Sequence, residues 1–313
     1  VALALVSEQL ATERELGALR AQERERTRFV STIAHELRTP LTGLGGYLDL
    51  VLDGKVDDPV VERDFLERSR GIVGSMADLV GDLLELSRLE SGAVALDIEP
   101  FSVAEAASRV AAGLEPIAME RGTLLVTSLP PRLRSATGDR RRVEQILTNL
   151  AANALKFTPA GGTVEIVGRF DGAVAVFVVR DDGPGIDPGD RERIFERFHR
   201  LAAHERITGT GLGLPIARDL ARRMAGDVDV ASVKGAGSAF VLVLPGPAAV
   251  DAHSVADVLR RAIDTETQRF EESAVLRAIG RARPSPASAS PASPAERLRA
   301  VQPDRKQDPA PAA

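Results

Sequence analysis

The sequence of 313 residues contains no cysteine, which excludes disulfides and thiolate metal sites and is compatible with a reducing cytoplasm. It has no tryptophan, a single tyrosine (Tyr47) and only 4% aromatic residues. A core must therefore rest on Leu, Val, Ile and Ala, a supply suited to helices packed on helices or on a sheet. No run of about 18 apolar residues occurs, so no membrane segment is predicted. Nor is a signal peptide predicted, because Val1–Val6 is too short and has no basic start. Basic charge is not in excess. The 40 Lys and Arg against 45 Asp and Glu leave a formal charge of −5, which argues against a nucleic-acid surface. The opening on Val1, straight into a helical pattern, fits either an upstream sensory region or a misread translation start.

What is present divides by periodicity. Residues 1–28 hold strong helix formers, with Leu5, Leu10, Leu16 and Leu19 among Glu and Arg, which predicts a coiled-coil or signalling helix. Over residues 29–92, Val30, Ile33, Leu37, Leu41, Leu44, Leu48 and Val51 form one apolar stripe at three- and four-residue steps. Asp53–Pro59 reads as a turn with Pro59 opening a second helix. There Phe65, Ile72, Met76, Leu79, Leu83 and Leu86 repeat the pattern until Ser91-Gly92 ends it. A lone hairpin buries such a face poorly, so a homodimer closing a four-helix bundle is the natural solution.

Residues 96–246 change character. Strand-like runs at Leu124–Ser128, Thr163–Arg169, Val174–Val179 and Phe240–Leu244 interleave with helical runs at Val103–Arg121, Arg140–Lys156 and Leu212–Met224. This predicts a separate α+β domain, a helical layer on a sheet. The remainder, from 247 to 280, reads as a helical extension with Val255, Leu259, Ala262 and Ile263 on one side. Residues 281–313 are rich in Pro, Ala and Ser and read as a disordered tail. Neither piece shows chemistry.

Four clusters do. His35 lies off the apolar stripe in FVSTIAHELRTPLTGL, so its imidazole should face solvent as a nucleophile. Glu36 beside it can take a proton, and Thr39 sits one turn on, on the same face. Pro40 removes the N–H that would bond the Glu36 carbonyl, which predicts a bend. In DRRRVEQILTNLAANALKFTP, Asn149, Asn153 and Lys156 share one helical face and can offer oxygen to Mg²⁺ and positive charge to phosphates. In VVRDDGPGI a strand ends in Asp181, whose carboxylate can accept from an amino group such as that of adenine. Gly183 and Gly185 there permit close backbone approach. RIFERFHR offers Phe195 and Phe198 as packing and Arg197 or Arg200 as phosphate contacts. It is followed by GTGLGL, Gly209 to Leu214, a glycine-rich helix start whose N–H groups attract phosphate. His199 and His204 read as surface residues. Taken singly, each cluster is also what an amphipathic helix or an Asp-Gly turn produces.

In this order and spacing the clusters resemble the H, N, G1, F and G2 boxes of sensor histidine kinases, across Phe29 to Leu244. The resemblance implies a multidomain α+β chain, with a dimeric phosphoacceptor hairpin followed by a Bergerat-type α/β sandwich that binds ATP. It implies His35 as phosphoacceptor assisted by Glu36, with Asn153 as Mg²⁺ ligand and Asn149 and Lys156 on phosphate. Asp181 would recognise adenine, with Gly183, Gly185, Arg197, Arg200 and the run Gly209, Thr210, Gly211, Leu212, Gly213 completing the nucleotide site. The partner implied is a response-regulator receiver domain, and Thr39 would serve removal of phosphate from it. The sequence departs from the family at Ile207-Thr208, where many members have another glycine, and the lid at Leu201–Ile207 is short. Two other readings remain, a degenerate scaffold without catalysis and an ATPase of the related chaperone or topoisomerase class. The intact His35, Glu36, Asn153 and Asp181 argue against the first, and the phosphoacceptor helix against the second.

Overall fold

The computed structural model describes residues 2–130, 134–201, 209–247 and 252–282. The chain divides into two compact units, Val1–Glu271 and Glu272–Ala313. Helix α1 (Ala2–Leu52) runs without interruption across residue 28 and through Pro40. The side chains of Leu5, Leu10, Leu16 and Leu19 lie outside the described residues. Helix α2 (Pro59–Glu90) begins at the predicted proline, and Asp58 caps it by accepting from the Val60 N–H at 2.8 Å. Tyr47 and Phe65, with ring centroids 5.1 Å apart, hold the two helices together near the turn.

The second part is a layered α+β domain. Strand β1 (Glu99–Ser102) leads into helix α3 (Val103–Arg121), then β2 (Leu124–Ser128), β3 (Ser135–Gly138) and α4 (Arg140–Phe157). Strands β4 (Thr163–Asp171) and β5 (Val174–Asp181) form a hairpin, and α5 (Gly213–Arg223), β6 (Asp227–Val233) and β7 (Gly237–Pro245) follow. Five strands make one sheet in the order β2-β4-β5-β7-β6, parallel only between β2 and β4, while β1 and β3 pair separately. Strands β1, β3 and β6 were not among the predicted runs. Ala175, Phe177 and Val179 point from β5 into the core shared with α3, α4 and α5. Val174, Val176 and Val178 occupy the other face by strand alternation and are equally buried.

Helix α6 (Ala252–Ala282) follows, and its residues 252–271 cover that second face. Arg261 pairs with Asp171 at one end of β4 at 2.9 Å, and Glu266 pairs with Arg180 near the other. The predicted extension is thus part of the domain's packing rather than an appendage. The tail from 283 onward lies outside the described residues, as does lid segment 202–208.

The hairpin and the domain meet along the second half of α2. Leu79, Leu86 and Leu89 are buried there, each burial contributing roughly 2 kcal/mol. Arg142 and Gln145 of α4 each donate to Glu85 at 2.5 Å, and the Arg223 guanidinium donates to the Leu89 carbonyl. Among the described residues no helix is long and apolar enough to cross a membrane.

Candidate functional site

A cavity of about 730 Å³ opens between α4, the end of β5, the start of α5 and α2. Helix α4 starts on Asp139, which accepts from the Arg141 and Arg142 N–H groups, and it turns Asn149, Asn153 and Lys156 into the cavity. Its other face buries Val143, Ile146, Leu147 and Leu150. Asn149 donates to the Gly213 carbonyl at 3.3 Å, tying α4 to the start of α5. Lys156 is half buried, and burial first, then Arg200 and Arg121, lowers its ammonium to about 8. Its Nζ lies so close to Gly209 that a Cβ there would stand 2.5 Å from it.

Asp181 ends β5 inside the cavity at 5% exposure. Its carboxylate accepts from the Gly183 N–H at 2.8 Å. Burial outweighs this bond and that from the Ser238 backbone, pushing the carboxyl up to about 7. Asp182 turns away and accepts from the Thr163 N–H at 3.0 Å. Gly185 adopts φ +68°, and a Cβ there would lie 2.2 Å from the Val233 carbonyl oxygen, so only glycine fits.

Among the other predicted residues, Arg200, Gly209, Thr210, Gly211 and Gly213 line the cavity, whereas Gly183, Arg197 and Leu212 do not. Leu212 puts its side chain into the core, and its N–H donates to the Thr210 hydroxyl at 3.2 Å. Arg197 donates to Glu90 of α2, and Thr210 donates to Asp82 of α2 at 2.7 Å. Asp78, Asp82 and Glu85 of α2 also line the cavity, a contribution that spacing along one helix did not announce. Burial first, and then the nearby Asp78 and Glu85, raises the Asp82 carboxyl. Ser238 is a further lining residue the sequence did not mark, brought in because β7 pairs it with Asp181. His199, expected on the surface, lines the cavity, and its Nε2 is buried with no partner among the described residues.

His35, Glu36 and Thr39 are outside this cavity. His35 is exposed on α1, Glu36 is partly covered, and the Thr39 hydroxyl donates to the His35 carbonyl at 3.3 Å.

The chain therefore joins an exposed helical histidine to a sheet-and-helix cavity with Asp181 at one end and a basic, glycine-rich segment at the other. Residues 25–92 match the His Kinase A (phospho-acceptor) domain, and residues 138–248 match the histidine kinase-, DNA gyrase B- and HSP90-like ATPase family. The chain belongs to the sensor histidine kinases. It is 36% identical over 225 residues to histidine protein kinase DivJ of Caulobacter vibrioides, covering 70% of this chain and 37% of DivJ. It is 32% identical over 227 residues to sensor histidine kinase WalK of Bacillus subtilis, covering 71% of this chain and 37% of WalK. Among solved structures it is similar to full-length ShkA in complex with AMPPNP, at TM-score 0.53 and 33% identity, over 71% of this chain and 46% of ShkA. The chain thus spans less than half the length of these relatives.

Proposed function

We propose that this chain moves the γ-phosphoryl group of ATP to His35 and then to an Asp of a response-regulator receiver domain, as a homodimer in the cytoplasm. The observation that carries this is one cavity gathering Asn149, Asn153, Lys156, Asp181 and the Gly209–Gly213 segment, in a chain that exposes His35 beside Glu36. The AMPPNP held by the similar ShkA supports the nucleotide.

Asp181 accepts from the adenine amino group, and Lys156 with the N–H groups opening α5 holds the phosphates. The Asn153 side chain lines the cavity, and its hard amide oxygen suits Mg²⁺. Asn153 would hold this ion, which when bound neutralises charge on the phosphate oxygens. The neutral imidazole of His35 attacks in line at phosphorus, forming an N–P bond as the bond to ADP breaks, while Glu36 takes the ring proton. His35 lies outside the cavity in the arrangement described. Phosphorylation therefore requires the ATP-binding domain to release α2 and reach a His35 of its own or of a second copy. The phosphohistidine then donates to the receiver carboxylate.

Incubation with γ-labelled ATP and Mg²⁺ tests this. The parent should acquire an acid-labile, alkali-stable label, and His35→Gln and Asn153→Ala should not. Undiminished labelling of His35→Gln would end the proposal.

A further inference from the structure

Helix α6 lies beyond the residues matched to the ATPase family, 138–248. Its buried face reads Val255, Val258, Leu259, Ala262, Glu266 and Phe270. A glutamate at 2% exposure interrupts an otherwise apolar stripe. Burying a carboxylate is unfavourable unless it is paired and hydrogen-bonded, and an apolar side chain at 266 would fill the same space without that penalty.

The partner is Arg180, the residue immediately before Asp181. Its Nε and Nη2 donate to the two carboxylate oxygens of Glu266 at 2.6 and 2.7 Å. Its third nitrogen donates at 2.7 Å to Glu165, its cross-strand neighbour on β4, and Glu165 accepts from Ser128 of β2 at 2.5 Å. Helix α6 and three strands are thus tied together at the end of β5 from which Asp181 projects. A two-pronged guanidinium–carboxylate pair fixes orientation as well as distance, which apolar contact alone does not. Phe270, one turn further, closes the same corner. A Cβ at Gly237 would lie 2.1 Å from the Asp181 carbonyl oxygen and 3.1 Å from the Phe270 ring.

We infer that Glu266 is a positioning residue for the nucleotide. Through Arg180 it fixes the end of β5 and with it the Asp181 carboxylate, which makes α6 a working part of the ATP site. This rests on Asp181 as the adenine acceptor.

The test compares whole-chain variants by titration with ATP and GTP and by labelling kinetics. Glu266→Gln should raise Kd and KM for ATP about tenfold, the effect of roughly one charge-assisted hydrogen bond, while the rate at saturating ATP changes less than about twofold. Preference for ATP over GTP should narrow in parallel. The double variant Arg180→Met with Glu266→Met removes both charges and keeps apolar packing. It should melt cooperatively like the parent and still lose ATP affinity to a similar degree. A folded double variant that binds ATP as the parent does overturns the inference, as does a lowered melting temperature with unchanged Kd. Asp181→Asn separates the two layers. If it binds ATP normally, the adenine assignment fails; if it alone binds weakly, the role of Glu266 fails by itself.

Discussion

Asp181 and Lys156 face one cavity with their ionisations displaced toward each other, the carboxyl up to about 7 and the ammonium down to about 8, burial being the first cause in both. In the proposed function, adenine needs the carboxylate and phosphate needs the ammonium. Between roughly pH 4, where an unfolded Asp loses its proton, and about 7, the nucleotide-free folded chain keeps a proton that the unfolded chain has lost. Asp181 therefore stabilises the fold at low pH, and that contribution is lost as pH rises through about 7. Bound adenine favours the charged form, so ATP affinity should rise over the acid range, peak between about 7 and 8, and fall as Lys156 deprotonates. Calorimetric titration across pH checks this: Asp181→Asn should lose the acid limb and Lys156→Met the alkaline one. Thr39 makes a separate demand. Its hydroxyl donates to the His35 carbonyl, which leaves its lone pairs to accept from a water at a phosphorylated receiver. Thr39→Ala should keep labelling and transfer yet prolong the life of the phosphorylated regulator; equal decay would remove Thr39 from that role. His35, Asn153 and Asp181 were legible because each lies in a short local pattern. Ser238 and Asp82 were not, since strand register and docking of the domain on α2 bring them in.

Helix α2 sets three carboxylates, Asp78, Asp82 and Glu85, on the cavity wall, and Thr210 and Arg142 are engaged with two of them. Negative charge there opposes a triphosphate and holds a glycine-rich segment that phosphate would otherwise recruit. Asp82→Asn should therefore tighten ATP about threefold to tenfold, within the range for removing one partly screened like charge, and raise the initial labelling rate. Weaker ATP binding in that variant would contradict the repulsion. Long elements with a clean period were readable from residues alone: the predicted spans of α3 and β2 coincide with those observed. Strands β1 and β3 escaped because each has four residues and buries little beyond Phe101 and Ala136. In β6 acidic residues at Asp227 and Asp229 thin the apolar signal. The reach of α6 escaped because Glu266 stands where its stripe should be apolar, and only the distant Arg180 explains it.

On the scale of the whole molecule, the hairpin is unfinished as a single chain. Leu66, Val73, Val80 and Leu84 recur at heptad-like steps on α2 and stand 45%, 53%, 45% and 57% exposed. A second copy placed against them would close a four-helix bundle. Light scattering should give the mass of two chains, and Val73→Glu with Val80→Glu should give one; a monomeric parent would remove the dimer from the proposal. The nucleotide cavity, finally, has walls from α4 with β5 on one side and α2 on the other, which the proposed phosphorylation step would draw apart. A small molecule with an adenine-like ring at Asp181 and a cationic tail among Asp78, Asp82 and Glu85 would grip both at once. Such a compound would act as a clasp on the assembly, holding the ATP-binding domain against its own helix, and added ATP would displace it less readily than a simple nucleotide mimic.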